Sequence, residues 1–335
     1  MLMKIYDDAA GAARAAAAPR WRHALPQLAD KPFLSDGGLE TTLIFHDGLE
    51  LPHFASVTML DRPGGREILE AYYRRYLEIA RAHGVGFVLD SVTWRASPDW
   101  GAKLGYDRAT LADLNRAAVA MLHPLRQEFE TEATPVVVGG CVGPRGDGYV
   151  AGAAMSVAEA EAYGRFQAEL FAEAGADMVA AMTMTNAAEA AGYARAAAAA
   201  GLPSCISFTL ETDARLPSGE SLGEAIGFVE RESDGAPAYY MVNCAHPTHF
   251  AAMIDAAVEA GEPWLARLRG VRANASTRSH AELDSSTDLD AGDPDTLGRD
   301  YAALRARHRR FTILGGCCGT DDRHVAAIAR TCLAA

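Results

Sequence analysis

Eight short apolar runs, separated by segments long enough for helices, constrain the fold of this chain more than any other feature. The runs span residues 33–35, 86–90, 135–139, 177–181, 205–209, 239–243, 268–273 and 311–315. The helix-length segments between them include 65–83, 109–131, 157–174, 187–200, 219–230, 248–260 and 294–308. Strands buried on both faces of a parallel sheet read as continuous apolar runs, and the intervening helices imply right-handed crossovers. Eight such units predict an α/β fold, a (β/α)8 TIM barrel, with an open doubly wound sheet as the alternative.

The barrel is expected to form a single domain, because no segment reads as a domain linker. Residues 1–30 form an Ala-rich leader that is expected to be helical or disordered, and the barrel is assigned to residues 31–335. No Gly-x-Gly-x-x-Gly motif follows the first apolar run, which argues against a dinucleotide site. Residues 276–294 are rich in Ser, Thr, Asp and Gly, and they predict a long polar loop able to act as a lid.

The charge balance argues against several classes of partner. The formal net charge of the 335 residues is −13, whereas proteins that bind nucleic acid or anionic membranes are usually basic. No apolar stretch reaches the length of a membrane helix, and Asp7 and Asp8 interrupt the N-terminus too early for a secretory signal. We therefore expect a reduced, cytoplasmic protein that can form a homo-oligomer and whose cysteines are metal ligands or buried thiols rather than bridges.

Three cysteines stand directly after predicted strands. Cys317 and Cys318 follow the eighth run within a Gly-Gly-Cys-Cys-Gly segment, and Cys244 follows the sixth run, 73 residues before Cys317. Adjacent cysteines cannot easily form a relaxed disulfide with each other. The ends of the sixth and eighth strands lie close together on a barrel rim, where active sites form. Three thiolates suit one zinc ion with an open fourth position, and such soft ligands do not suit magnesium or calcium.

The charge of such a site indicates what it would activate. Three thiolates leave a divalent ion with one net negative charge, which makes it a weaker acid for splitting water than a site of neutral imidazoles. It is better suited to hold a fourth, exchangeable thiolate, because coordination deprotonates an incoming thiol at neutral pH. The three cysteines therefore predict a site that turns a thiol into a nucleophile.

The chain resembles the homocysteine S-methyltransferases, zinc-dependent (β/α)8 barrels, from about residue 33 to 330. The matching stretches are Ser35 to Leu43, Gly143-Pro144, Ser207 to Leu210, Leu216 to Gly219, Val242-Asn243-Cys244 and Gly315 to Thr320. The resemblance implies an S-methyltransferase in which Cys244, Cys317 and Cys318 bind Zn2+ and the acceptor thiol takes the open position. It also implies that Asp36 and Gly37 contact the amino acid part of homocysteine, with Asp36 as the partner of its ammonium group.

The resemblance implies methyl transfer to homocysteine, giving methionine, from a small activated donor. The chain is too short to carry the folate and cobalamin modules of large methionine synthases, so a free donor is expected. S-methylmethionine or S-adenosylmethionine ranks first and betaine second. Each carries an activated methyl group, so that attack requires mainly positioning and a thiolate.

One position departs from the family pattern. After the fourth strand the family usually has a Glu that helps hold the amino group of homocysteine, and this chain has Met182 there. Either another acid such as Glu40 or Glu211 compensates, or the enzyme uses a different thiol acceptor or onium donor. A third interpretation, from another class, is a non-catalytic zinc- or thiol-binding protein.

Several other residues leave two interpretations open. Asn243 either binds substrate or hydrogen-bonds the backbone at neighbouring strand ends. Trp94 and Trp100 either form an aromatic wall for a cationic donor or pack in the ordinary way. The remaining cysteines are interpreted as buried thiols, and several histidines as surface or supporting residues: Cys141, Cys205, Cys332, His46, His53, His246 and His249.

Overall fold

Eight parallel strands close into a barrel in the computed structural model, which describes residues 18–152 and 155–333. The strands are β1 Phe33–Leu34, β2 Gly86–Asp90, β3 Val136–Val142, β4 Met178–Met184, β5 Ser204–Phe208, β6 Pro237–Asn243, β7 Leu268–Ala273 and β8 Ile313–Gly316. Each strand pairs with the next along the chain, and β1 also pairs with β8, so the sheet has no edge. The predicted (β/α)8 barrel is confirmed, and the open doubly wound sheet is excluded.

Twelve α-helices occur in the described residues. They are α1 Leu39–Thr41, α2 Gly65–His83, α3 Pro98–Lys103, α4 Arg108–Ala120, α5 Leu122–Phe129, α6 Val157–Glu173, α7 Ala187–Ala199, α8 Leu222–Glu232, α9 Pro247–Ala260, α10 His280–Asp284, α11 Pro294–Arg307 and α12 Asp322–Cys332. Short 3-10 turns span Pro26–Leu28, Pro52–Phe54, Ser56–Asp61 and Pro263–Ala266, and a π-turn spans Thr42–His46. Within the described ranges, no helix is both long and apolar enough to cross a membrane.

Local sequence signals explain where the helices begin. Capping boxes open α6 and α8, where Ser156 and Glu159, and Ser221 and Glu224, satisfy each other's backbone N–H groups. The predicted helix over 109–131 is two helices, because the chain turns at Met121 between α4 and α5. The predicted polar loop over 276–294 contains the short helix α10.

The core has two layers separated by the barrel wall. Side chains such as Phe33, Val88, Val137 and Met178 fill the bore of the barrel and are almost fully buried. A larger apolar layer lies between the outer faces of the strands and the surrounding helices. Because side chains fill the bore, a ligand can bind only at the ends of the strands, where active sites of such barrels lie.

The described part of the leader, residues 18–30, packs across the N-terminal ends of the strands. The backbone N–H groups of Arg20 and Trp21 donate to Asp177 Oδ1 at 2.7 and 2.8 Å. The Arg126 guanidinium donates to Asp177 Oδ2 at 3.0 Å, within a buried ion pair. This segment contains one 3-10 turn, Pro26–Leu28, and no α-helix. The leader prediction for residues 1–17 lies outside the described residues.

Candidate active site

A cavity of about 390 Å3 opens at the C-terminal ends of the strands. Residues that follow or end seven of the eight strands line it, as in other barrels of this class. All seven predicted site residues are among them: Asp36, Gly37, Met182, Asn243, Cys244, Cys317 and Cys318. Residues of the predicted lid before, within and after α10 also line the cavity. The barrel therefore brings the candidate residues together from four different strands.

The sulfur atoms of Cys244, Cys317 and Cys318 converge in this cavity and lie within 4.8 Å of one another. The Sγ atoms of Cys244 and Cys318 are 3.9 Å apart. Two thiolates bound to one tetrahedral zinc at about 2.3 Å would be separated by about 3.8 Å. Among residues 18–152 and 155–333, no other group of His, Cys, Asp and Glu has this geometry. The group could therefore hold a metal ion.

Cys244 and Cys317 are joined by a disulfide, with their Cα atoms 5.4 Å apart. The expectation that the cysteines form no bridges is wrong for this pair. The neighbouring cysteines Cys317 and Cys318 are not joined to each other. The ends of β6 and β8 set a Cα separation that suits a disulfide. This closeness depends on barrel closure, and the sequence alone does not show it.

The glycines of two motifs allow the loops after β1 and β8 to meet beside the cysteines. A Cβ atom on Gly38 would lie 2.6 Å from the carbonyl oxygen of Cys317, and one on Gly37 would lie 2.8 Å from the Tyr76 hydroxyl. Both distances are shorter than a normal contact, so larger residues would push the loops apart. Cys317 is further held by its N–H, which donates to the Ala273 carbonyl at 2.8 Å.

Tyr149 contacts the cysteine group from the loop after β3, and sequence reasoning missed it. Its hydroxyl donates to Cys318 Sγ at 3.3 Å. Its ring stacks on His280, with centroids 4.2 Å apart. The Nε2 atom of His280 lies 2.6 Å from the Cys244 carbonyl oxygen. No motif marks Tyr149, because its role depends on where a glycine-rich loop folds.

Asn243 joins the ends of β4, β5 and β6. Its Oδ1 accepts from the Thr183 N–H at 2.9 Å and from the Ser207 hydroxyl at 2.6 Å, and its Nδ2 donates to Thr183 Oγ1 at 2.8 Å. Nδ2 also lies 3.8 Å from Cys317 Sγ. Thr183 has φ of 62°, an uncommon conformation for a β-branched residue, at a bulge in β4. Of the two interpretations of Asn243, its hydrogen bonds match the backbone role.

Asp36, Arg272 and Asp90 form a buried ion-paired group that lines the same cavity as the cysteines. The Arg272 guanidinium donates to Asp36 Oδ1 and, at 3.1 Å, to Asp90 Oδ2. The Tyr72 hydroxyl donates to Asp36 Oδ2 at 3.1 Å. Burial raises the pKa of Asp90 to about 6, with Arg272 opposing the shift and Asp36 adding to it. Burial also raises the pKa of Asp36. The predicted ammonium partner is therefore already paired with a cation.

Met182 lies on the inner face of β4, is 6% exposed and packs in the bore beside Cys141. Of the two acids named as possible substitutes, Glu40 lines the cavity, and Ser56 donates to its Oε1 at 2.7 Å. Burial raises the pKa of Glu40. Glu211 lies outside the cavity lining and is 3.0 Å from His280 Nδ1.

The two tryptophans differ in position. Trp94 lines the cavity, and its Nε1 donates to the Met182 carbonyl at 3.4 Å. Trp100 is not part of the cavity lining, and the cations of Arg95 and Lys103 cover its ring at 4.2 and 3.9 Å. An aromatic wall at this site would thus involve Trp94 without Trp100.

The other cysteines and histidines named from the sequence do not belong to the three-sulfur group. Cys141 lines the cavity, whereas Cys205 is buried in the bore and Cys332 ends α12. Among the described residues, no histidine belongs to the candidate metal group. The histidines named from the sequence have other neighbours: His46 near Asp321, His53 near Trp100, His246 near Thr248 and His249 near the Thr277 carbonyl.

The fold and the cavity define a (β/α)8 barrel whose strand ends carry a three-cysteine group able to hold a metal. The particular family follows from comparison with known proteins. The chain belongs to the homocysteine S-methyltransferase family, whose model matches residues 33–332. It is therefore an S-methyltransferase, and the predicted family and enzyme class are confirmed.

Solved structures share the fold. The homocysteine methyltransferase MmuM from Escherichia coli has been crystallised in an oxidized form, which is 21% identical to this chain with a TM-score of 0.69 and covers 92% of this chain and 98% of that one. Its metallated form is 22% identical, with a TM-score of 0.67, and covers 93% and 99% of the two chains. The sequence comparison with curated proteins found no match.

Proposed function

We propose that this enzyme transfers a methyl group from a free onium donor to homocysteine, giving methionine, with Zn2+ held by Cys244, Cys317 and Cys318. The observation that carries the proposal is the convergence of the three sulfurs, within 4.8 Å, in a cavity at the strand ends. The family supplies the reaction type, and the cysteine group supplies a means of activating a thiol.

The donor set fits zinc. It consists of three sulfurs, one pair of which already has the separation of a tetrahedral edge. When bound, zinc would lower the pKa of the acceptor thiol so that it is a thiolate at neutral pH. The metallated form of MmuM supports a metal role in this fold. Metal binding needs thiolates, so the Cys244–Cys317 disulfide must be reduced first.

The surrounding residues would orient the acceptor and exclude water. Asp36 and Gly37 line the cavity and would contact the amino acid part of the acceptor. Tyr149 covers Cys318 and holds its sulfur by a hydrogen bond. Asn243 holds the strand end that precedes Cys244. These contacts position the acceptor sulfur for attack on the donor methyl group.

The outer lining of the cavity favours a cationic donor. It carries the acids Asp147, Asp284, Asp288 and Asp290. Such a rim attracts onium compounds. Trp94 lines the same cavity, but the Arg95 guanidinium already lies over its ring, 4.9 Å from the centroid. Arg95 also lines the cavity, and its buried Nε has no hydrogen-bond partner in the described residues. The Arg95 guanidinium could bind the carboxylate group that S-methylmethionine, S-adenosylmethionine and betaine all carry.

Met182 motivates a second candidate function, methyl transfer involving a different thiol acceptor or onium donor. A thioether offers an ammonium group no charge, and Asp36 is already paired with Arg272. Membership of an enzyme family argues against the third interpretation, a non-catalytic zinc- or thiol-binding protein.

The proposal is tested by supplying reduced, zinc-loaded enzyme with each donor and homocysteine, and measuring methionine by mass spectrometry. Cys318→Ser should abolish transfer, because it removes one of three metal ligands. Cys332→Ser is the matched control, since Cys332 ends α12 away from the cavity, and it should retain activity. Transfer to another thiol but not to homocysteine would favour the second candidate. No transfer from any donor to any thiol would refute the proposal.

A further inference from the structure

A methyl donor that enters the cavity meets sulfur atoms of the enzyme as well as the acceptor. Cys317 and Cys318 are partly exposed and line the cavity. In the reduced enzyme they are thiolates, and methylation of either is the same displacement as methylation of the acceptor. It would replace a metal-binding thiolate by a neutral thioether and so inactivate the site. The enzyme therefore needs a means of directing the methyl group to the acceptor sulfur.

The Tyr149 hydroxyl contacts one of these sulfurs. It donates to Cys318 Sγ at 3.3 Å, and Cys318 is the member of the three-cysteine group that lies outside the disulfide. A hydrogen bond to a thiolate stabilises its negative charge, and the nucleophilicity of a thiolate falls with its basicity. Because a phenol has a single O–H group, the bond to Cys318 is not shared with the acceptor sulfur.

Neighbouring contacts hold the Tyr149 hydroxyl in this position. The ring stacks on His280, with the two planes 16° apart. The ring nitrogens of His280 lie 3.0 Å from Glu211 Oε1 and 2.6 Å from the Cys244 carbonyl oxygen. The Tyr149 N–H donates to Asp147 Oδ1 at 2.8 Å. Both the backbone and the ring of Tyr149 are thus fixed beside the sulfur.

The other two sulfurs of the group are protected in different ways. Asn243 Nδ2 lies 3.8 Å from Cys317 Sγ, a longer contact of the same kind. Cys244 is 4% exposed, so that burial limits the approach of a donor. Cys318 is the ligand whose protection depends on a single hydroxyl.

We propose that the Tyr149 hydroxyl directs methyl transfer to the acceptor by making Cys318 the poorer nucleophile. This assignment rests on the proposed function and deepens it, because it identifies a residue that determines which sulfur is methylated. In the reaction that Tyr149 suppresses, a lone pair of Cys318 forms the new S–CH3 bond. The donor heteroatom leaves with the electron pair of the bond that breaks, so no proton or further reactant is needed.

The size of the effect follows from the strength of such a bond. A hydrogen bond to a charged group changes the acid dissociation constant of a thiol about ten- to hundredfold. Thiolate nucleophilicity follows basicity with a slope of about 0.4–0.5 on a logarithmic scale. Loss of the hydroxyl should therefore speed methylation of Cys318 about three- to tenfold.

The test uses methyl iodide, a small reagent that needs no donor site, on reduced, zinc-loaded enzyme without acceptor. Methylation of each cysteine is followed by mass spectrometry of peptides. Tyr149→Phe keeps the ring and loses the hydroxyl, so Cys318 should react about three- to tenfold faster than in the wild type. Tyr163→Phe is the matched control and should leave the rate unchanged, because the Tyr163 hydroxyl bonds Ser97 outside the cavity lining. Cys332 should react equally in all three proteins.

Equal rates at Cys318 in the wild type and Tyr149→Phe would overturn the assignment. A rise that Cys332 shares would do the same, since it would indicate general opening of the fold. If Tyr149→Phe fails to fold, the wild type decides: with homocysteine bound, methyl iodide should methylate homocysteine at least about threefold faster than Cys318, and equal rates would contradict the assignment. Failure of the proposed function looks different, since no onium donor would then methylate any thiol, whereas methyl iodide reports on Cys318 without the natural donor.

Discussion

At the scale of single residues, Met182 shows how a family position can change without loss of packing. Its side chain is 6% exposed and fills the bore beside apolar neighbours. An acid at this position would here line the same cavity as Asp36 and Asp90. With only Arg272 to balance them, three carboxylates would carry more negative charge than the group can stabilise.

Met182→Glu should therefore destabilise the enzyme. We expect the free energy of unfolding at pH 7.5 to fall by about 2–4 kcal/mol, because a buried carboxylate without a cation partner is costly. Urea denaturation followed by circular dichroism measures the change. Met182→Leu is the control and should cost less than about 1.5 kcal/mol, since its volume is similar. Wild-type stability in Met182→Glu would mean that the cavity already accommodates an acid there.

At the scale of elements, Arg272 connects three strands through side chains. It is the last but one residue of β7 and pairs with Asp36, which follows β1, and with Asp90, which ends β2. The guanidinium also donates from Nε to the Gly316 carbonyl at 3.2 Å, at the end of β8. These contacts hold the strand ends that carry the acceptor site.

Arg272→Met should cost about 3–5 kcal/mol of unfolding free energy at pH 8, because it leaves two buried carboxylates without their cation. The loss should shrink toward pH 5. Without Arg272 the pKa values of Asp36 and Asp90 rise further, so the folded state gains protons that the unfolded state does not bind. Denaturation curves at several pH values measure this. A loss of stability that is the same at pH 5 and pH 8 would contradict the electrostatic explanation.

Arg269→Met is the matched control for this experiment. Arg269 lies on the same strand, and its ion-pair partner Asp30 is 87% exposed at the other end of the barrel. An exposed pair contributes at most about 1 kcal/mol. We expect a small effect that changes little with pH.

Two loops also meet at the site. The loop after β3 carries Tyr149, and the loop after β7 carries His280, and their stacked rings join the loops beside the cysteines. Tyr149→Ala should release the segment 276–294 and increase its cleavage by protease about tenfold, because local opening becomes easier. Tyr149→Phe keeps the ring and loses only the hydroxyl, so its cleavage should match the wild type. Equal protection in all three proteins would show that the stack does not hold the loop.

At the scale of the whole molecule, the sequence predicts the barrel because each strand and helix has its own local signal. The apolar runs match the strands to within a few residues, since parallel strands buried on both faces leave little room for polar residues. The three cysteines could be grouped because their strands, β6 and β8, flank β7 and end close together on the rim. Cytoplasmic location and homo-oligomer formation stay predictions.

The rest of the site depends on contacts across the closed barrel. In the sequence, nothing distinguishes Arg272 from the other residues of the seventh apolar run. It contacts Asp90 only because the sheet closes into a barrel. The disulfide between Cys244 and Cys317 and the contact of Tyr149 with a sulfur depend on loop geometry in the same way. No local pattern carries such information, because each contact joins residues far apart in the chain.

The central claim is that the three cysteines hold a zinc ion that binds the acceptor thiol. X-ray absorption at the zinc edge of the reduced enzyme, before and after addition of homocysteine, tests it most directly. We expect one zinc per chain with three sulfur ligands and one lighter ligand, changing to four sulfurs when homocysteine binds. Reduced enzyme that binds no zinc, or whose sulfur count stays the same with homocysteine, would contradict the account.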